Sequence, residues 1–295
     1  MPALITINYN DVSTTEDFIR RVTAYHNISR IIVVDNHSTD DSLEKLYRVS
    51  SDKVIILPAP RNGGYAYGNN LGIRKALSIC DEKYLIISNS DVSFAEETVD
   101  KMMDEIASHP NLAVIAPTMK DSNGIVCSNV ASNLPTYGDL LAECFLGLKL
   151  IRYKIFHKSN CLDYETIKDL KIAFTEVVPG SFFLIDVKKL QEIGFFDEKT
   201  FLYCEENILG YHLKQKGYRE AILPQEYYLH QHGSSVNQNI HKWSKQEKIL
   251  HDSEQEYLDV IGAGQLKKKL HSVLFYIGLP ERCLVRRLIQ LKKKG

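Results

Sequence analysis

The chain runs to 295 residues, enough for one large domain or a domain with an appendage, and its 44% hydrophobic and 25% charged residues are the balance of an ordinary soluble globular protein. It has no run of ~18 apolar residues, which excludes a transmembrane helix, and MPALITINYN starts on a strand-like pattern rather than the charged leader of a signal peptide. The net charge of −1 conceals a basic tail on an acidic body.

Five short runs rich in Ile, Val and Leu come first: LITINYN (4–10), RIIVVDN (30–36), KVIILPA (53–59), KYLIISNS (83–90) and LAVIAPTM (112–119). Each reads as a strand buried on both faces. Helical patterns fall between them near 14–25, 40–50, 65–80 and 94–108. This alternation predicts βαβ units, hence an α/β fold with a mostly parallel sheet and right-handed crossovers. The stretch 125–175 is less regular, although GDLLAECFLGLKLIRYKIF (138–156) has a partly apolar helical pattern that suits a cover over a site. SFFLID (181–186) returns to strand, followed by a short helix at 187–193. CEENILGYHLKQKGY (204–218) predicts a helix stopped by Gly217. EAILP (220–224) and YYLHQHG (227–233) read as two more strands, and from 241 onward the chain reads as helical. The expected division is a body over 1–240 and a helical, basic extension over 241–295.

In sheets of this kind ligands bind beyond the carboxyl ends of the strands. The residues there are Asn8 to Asn10, Asp35 to Ser38, Arg61 to Asn70 and Asn89 to Asp91. RNGGYAYGNN (61–70) places glycines at 63, 64 and 68 after the third strand. A dinucleotide fingerprint needs GxGxxG after the first strand, and a P-loop needs GxxxxGK[ST]; this loop is neither. A backbone-rich turn feeding a helix remains, which suits an anion, and a plain glycine connection explains the same residues. Asp35 closes IIVV, where an acid can accept from ribose hydroxyls or a base N–H. Ser38 or Asp40 in the DNHSTDDS that follows also reads as a helix cap. Asp91 in SNSD is a hard oxygen ligand where Mg²⁺ or Mn²⁺ can meet a diphosphate, or simply a helix start. Glu205 and Glu206 are adjacent acids at a helix start, where the macrodipole favours them. A neighbouring charge and partial burial would also raise one of their pKa values, as a general base needs. His230 and His232 in LHQHGSS can complete a metal site with Asp91 or order a loop.

Together these segments resemble the inverting, GT-A-fold glycosyltransferases of family 2, within it the bacterial rhamnosyltransferase-like branch. The resemblance runs in order over about 3–235. VVDNHSTDDS resembles that family's nucleotide-binding segment, which implies Asp35 at the base or ribose. RNGGYAYGNNLGI is similar to the segment that packs beside the donor. SNSD stands where the family has DxD; Asn89 holds the first position, so Asp91 carries most of the metal role. PGSFFLIDVKKLQEIGFFDEKTFLYCEENILGYHLKQKGY is similar to the family's long stretch around its ED motif. The second acid of that motif is the base. Here it is Glu206, one methylene longer than the usual Asp, and the later acid is Ile208. Which of Glu205 and Glu206 faces the acceptor stays open. The HxxGxS at 230–235 resembles the late metal-binding His segment. The resemblance thus implies donor contacts from Asn8, Tyr9, Asp35, Ser38, Arg61, Asn62, Gly64, Asn70 and Asn89. It implies Mn²⁺ or Mg²⁺ on Asp91 and His230. It implies transfer from dTDP-rhamnose or a UDP-hexose to a hydroxyl of a cell-surface polysaccharide or lipid-linked oligosaccharide.

Two other readings stand beside it. A non-catalytic sugar-binding or scaffold subunit is motivated by Glu206 and Ile208. A nucleotidyltransferase would need a glycine-rich signature with Arg and Lys after the first strand, and INYNDVST lacks one. The six cysteines (80, 127, 144, 161, 204, 283) form no CxxC pair and are expected as free buried thiols of a reducing cytoplasm. From Leu266 to Gly295 nine Lys/Arg meet one acid, Glu281, for +8; the remaining 27 basic and 36 acidic residues give −9. Leu284, Leu288 and Leu291 share a helical face there, with Arg286, Arg287 and Lys292 to Lys294 beside it. That pattern fits an anionic membrane surface, a solvated basic helix or a homodimer contact. The acidic body argues against nucleic acid. The expected place is the cytoplasm, with a peripheral position at the inner face of the cell membrane.

Overall fold

The computed structural model describes residues 1–79, 81–148, 160–231 and 243–292. Expectations that fall on Cys80, on 149–159, on His232 to residue 242, on the side chains of 289–292 and on Lys293 and Lys294 lie outside the described residues. So does the division at residue 240.

Strands β1 (Ala3–Asn8), β2 (Ile31–Asp35), β3 (Val54–Pro58) and β4 (Tyr84–Ser88) pair in parallel in the order β3-β2-β1-β4. The β-branched run IIVVD buries all five of its residues, because helices cover both faces of β2. β3 is the edge strand, and Ile55 to Leu57 are only partly buried, short of the expected two-faced burial. Helices α1 (Val12–Thr23), α2 (Ser42–Arg48) and α4 (Glu96–Ser108) pack on one face through Phe18, Leu46 and Met102. Helix α3 (Gly64–Ile79) packs on the other.

The sheet is mixed beyond β4. β5 (Val92–Phe94) and β6 (Leu112–Lys120) precede an excursion through β7 (Asn129–Ser132), α5 (Tyr137–Glu143), β8 (Cys161–Asp163) and β9 (Ala173–Thr175). β9 already belongs to the main sheet, antiparallel to the strand at 219–230, and the chain then enters the sheet's centre from its carboxyl edge, where Phe182 of β10 (Phe182–Asp186) pairs with Ser88. β10 therefore runs antiparallel to both β4 and β6. After α6 (Val187–Glu192) and α7 (Glu205–Gln215), β11 (Arg219–His230) pairs in parallel with β6 and antiparallel with β5. The two strands expected at 220–224 and 227–233 are this one strand, with a register break between Leu223 and Tyr227. Pro224 lacks an N–H for the ladder, so the strand bulges there. Thr118 Oγ1 donates to the Leu223 and Pro224 carbonyls across the break, at 3.3 and 3.2 Å.

The glycines of 61–70 have two separate causes. Most of that stretch is helix, not loop, since α3 starts at Gly64. A Cβ at Gly72 would lie 2.5 Å from Ile5 Cγ2 and 3.1 Å from Val34 Cγ2, so the glycine lets α3 settle on β1 and β2. Gly64 has φ +86°, and a Cβ there would stand 1.9 Å from the Phe201 carbonyl oxygen. Gly64→Ala is expected to cost about 2–4 kcal/mol from left-handed strain and overlap. Calorimetry should show Tm lower by roughly 5–10 °C; an unchanged Tm would mean the turn does not sit against Phe201.

The last two described helices are α8 (Trp243–Val260) and α9 (Gln265–Lys292). Tyr257 and Leu258 of α8 share a core cluster with Cys204 and Ile208 of the α7 region and Leu140 of α5. Ser253 Oγ donates to the Leu202 carbonyl at 2.8 Å, and Tyr257 to the Pro135 carbonyl at 2.9 Å. The extension is thus packed on the segment that carries Glu205 and Glu206. Cys144 and Cys204 are buried as expected, whereas Cys161 is exposed. Among the described residues no helix is long and apolar enough to cross a membrane.

Candidate active site

Parallel register lines up the strand ends: Asn8 stands opposite Asp35, and Asp35 opposite Pro58. Asn8 Nδ2 donates to Asp35 Oδ1 at 2.9 Å and to Ser38 Oγ at 3.1 Å, and Asn8 Oδ1 accepts from Thr15 Oγ1 at 2.9 Å. Ser38 adds its N–H to Asp35 Oδ2 at 3.0 Å and its hydroxyl to Oδ1 at 2.6 Å. Asn8 and Asp35 are almost fully buried. Asn8, expected to touch the donor, holds Asp35 and Ser38 through its amide. Asp35 keeps one acceptor position on Oδ2, since a carboxylate offers about four. Neither expected helix cap holds: the N-cap of α2 is Asp41, Asp40 one residue earlier accepts from the Ser42 N–H at 3.0 Å, and Ser38 serves Asp35.

The 61–70 segment divides likewise. Arg61 is exposed, with its guanidinium 4.6 Å over the Tyr67 ring. Asn62 Oδ1 accepts from Asn36 Nδ2 and from the Gly64 N–H, both at 3.1 Å, which ties the turn to the end of β2. Asn70, expected beside the donor, is bonded within the fold. It is buried, its Nδ2 donates to the Phe196 carbonyl at 2.9 Å and Glu198 Oε1 at 2.8 Å, and its Oδ1 accepts from the Phe196 N–H at 3.1 Å. Its hydrogen bonds clamp α3 to the 196–198 turn. Tyr9 is half-buried at the end of β1.

Across the sheet edge, His230 Nε2 lies 3.2 Å from Asp91 Oδ1, both side chains about a tenth exposed. β11 brings them together by pairing His230 with Val92. One carboxylate and one imidazole side by side fit a divalent ion that takes its remaining ligands from phosphate oxygens and water. Among the described residues no group of three or more His, Cys, Asp or Glu ligands forms. Asn89 enters through its backbone, its N–H donating to the Ser181 carbonyl at 2.8 Å.

Ser181 leads to the acids. Its hydroxyl bonds Tyr228 OH at 2.7 Å. Burial chiefly pushes the Tyr228 phenol up, and the charges of Asp91 and Glu206 add to the shift, so both acids lie within electrostatic reach of one side chain. Glu206 is half-buried and accepts the Gly180 N–H. A Cβ at residue 180 would fall 2.0 Å from Glu206 Oε1, so only glycine leaves the carboxylate this place. Burial raises the Glu206 pKa. Glu205 is deeply buried and accepts from the Tyr203 N–H, in a turn where Tyr203 and Cys204 both have positive φ. Burial, then the Glu206 charge, holds its pKa well above the glutamate range. Tyr65 donates its hydroxyl to the Gly180 carbonyl. Ile208 is buried against α8, so that position serves packing.

The sequence reading missed Gly180, Tyr65, Tyr228 and Glu220. Gly180 stands in the quoted PGS, which was a usable signal; Glu220 sits in an apolar strand run and offered none. Glu220 is buried, accepts the Val178 N–H at 2.7 Å, and has its other oxygen without a partner. Burial holds its pKa well above the ordinary range. Between those two values the folded chain keeps a proton that the unfolded chain has lost, so stability falls as pH rises through that window. Glu220→Gln removes the slope. The variant's unfolding free energy minus that of the wild type should grow as pH rises above the usual glutamate range, by up to ~1.4 kcal/mol for each pH unit inside the window, and its Tm advantage should grow with it. A constant difference would show that Glu220 titrates normally.

The model of Glycosyl transferase family 2 matches residues 3–162, more than half of the chain. The chain belongs to glycosyl transferase family 2. It is similar to the low-salt glycan biosynthesis hexosyltransferase Agl10 of Haloferax volcanii, at 22% identity over 204 residues, 69% of this chain and 58% of that protein. It is equally similar to the N-acetylglucosaminyl-diphospho-decaprenol L-rhamnosyltransferase of Mycobacterium tuberculosis, at 22% over 218 residues, 71% of this chain and 68% of the relative. The match thus leaves over two fifths of the haloarchaeal relative uncovered. Among solved structures, the mannosyltransferase PcManGT of Pyrobaculum calidifontis, in complex with GDP-Man and Mn²⁺, superimposes with a TM-score of 0.54 at 13% identity, over 98% of this chain and 79% of that one. This family 2 chain has the GT-A fold, with α8 and α9 following the sheet among the described residues.

Proposed function

We propose that this family 2 chain moves a hexosyl group from a nucleoside-diphosphate sugar to an acceptor hydroxyl, with inversion, and that Glu206 is its base. One observation carries the reading: a half-buried carboxylate of raised pKa, held by the Gly180 N–H, shares the neighbourhood of Ser181 and Tyr228 with the Asp91–His230 pair. Asp35 offers its remaining Oδ2 position to a ribose hydroxyl or a base N–H. Asp91 and His230 would hold Mn²⁺ or Mg²⁺, which when bound neutralises the diphosphate leaving group. Glu206 takes the proton of the acceptor hydroxyl. That oxygen bonds the anomeric carbon as the carbon–oxygen bond to the diphosphate breaks, and the electron pair leaves with the diphosphate. Attack from the opposite face inverts the centre. Glu206 must be ionised to act, so the rate should rise with pH through a limb above the usual glutamate range.

The names of the two relatives, a hexosyltransferase of glycan biosynthesis and an L-rhamnosyltransferase of N-acetylglucosaminyl-diphospho-decaprenol, favour a hexosyl or rhamnosyl group and a lipid-linked acceptor; dTDP-rhamnose and the UDP-hexoses are the donors we propose for it. The test is thermal shift with a panel of dTDP-, UDP- and GDP-sugars, with Mn²⁺ or with chelator. One sugar at a hundredfold excess over its Kd should stabilise the chain by about 2.7 kcal/mol, and only with metal. The absence of a rise with every donor would overturn the reading.

A further inference from the structure

We infer that the outer face of α9 docks on an anionic lipid bilayer. The inner face of this helix is fully used. His271 and Phe275 are buried, Arg282 pairs with Glu247 at 3.0 Å and donates to the Cys144 carbonyl at 2.7 Å, and a Cβ at Gly278 would lie 1.9 Å from that same carbonyl oxygen. The helix cannot turn over without losing these contacts.

The opposite face is apolar. Leu266, Leu270, Val273, Ile277, Leu284 and Leu288 are 47–83% exposed. At 3.6 residues per turn they fall within an arc of about 60°. Soluble monomers rarely leave a stripe of this length open to water. Lys269 and Arg287 border it on one side, and Lys267 follows on the other. Glu281, the tail's one acid, is spent on the backbone: it accepts from the Leu146 N–H at 3.2 Å and the Gly147 N–H at 3.1 Å. An apolar stripe between basic borders matches acyl chains flanked by anionic headgroups. A second copy fits less well, because a two-fold contact through this stripe would press two +8 tails together.

Vesicle flotation tests this without any transfer assay. The probes are vesicles of phosphatidylcholine alone and of phosphatidylcholine mixed with phosphatidylglycerol. The full chain should float with the anionic vesicles and release as salt is raised. Ile277→Asp with Leu284→Asp should weaken that binding tenfold or more at an unchanged Tm, since both sites are exposed. Lys269→Gln with Arg287→Gln should weaken it about tenfold on anionic vesicles alone. No flotation at low salt, or equal flotation of the wild type and the Asp variant, would overturn the inference. So would light scattering that shows a dimer which Ile277→Asp dissociates.

Discussion

Glu206→Gln is expected to abolish transfer and leave nucleotide-sugar binding in place. Glutamine keeps the shape of the side chain and can still accept the Gly180 N–H through its carbonyl oxygen, so the site should stay assembled. What it loses is the ability to take a proton. A positioned general base contributes about 10²–10⁴ in rate, or roughly 3–5 kcal/mol of barrier. kcat should fall by that factor, while the thermal shift given by donor and metal persists. Glu205→Gln provides the contrast. That carboxyl is deeply buried and holds the Tyr203–Cys204 turn, so its removal should lower Tm more than kcat. Full turnover in Glu206→Gln, or a larger loss of kcat in Glu205→Gln at unchanged Tm, would reverse the two roles.

Asp91→Asn is expected to erase the metal-dependent part of the donor's thermal shift. The amide is isosteric but neutral, and a neutral oxygen is a poor partner for a hard divalent ion. The fold should tolerate the change, because the Asp91 backbone carbonyl still accepts from the Gln231 N–H at 3.0 Å and keeps β5 beside β11. Loss of about 3 kcal/mol of charge stabilisation corresponds to roughly a hundredfold drop in kcat/KM. The Tm without donor should match that of the wild type. If Mn²⁺ still raised the donor-bound Tm of Asp91→Asn as it does the wild type's, the ion would have to sit elsewhere.

Under this reading the two variants separate the chemistry from its setting. Glu206→Gln leaves a chain that binds donor and metal but does not turn over. Asp91→Asn leaves an intact base beside a diphosphate that is not neutralised. A non-catalytic sugar-binding subunit would show neither difference in rate, since it would have no turnover to lose.

The sequence by itself determined the order and kind of most elements. Apolar period is local: IIVVD must be a buried strand wherever it ends up, and a helical repeat such as 96–108 carries its own face. It also marked Asp35 and Asp91, acids at or just beyond the ends of such runs, and the adjacent Glu205 and Glu206 at a helix start, without deciding between those two. Tertiary structure alone decided what these residues meet. Asp91 finds His230 through the pairing of β5 with the end of β11. Glu206 finds Gly180 because β10 enters the sheet from its carboxyl edge, a direction no local pattern encodes. Asn8 and Asn70, which stand where ligand contacts stand, are bonded to Asp35 and to the 196–198 turn. A side chain's type states which bonds it can make; only the path of the chain decides whether a neighbour has already taken them.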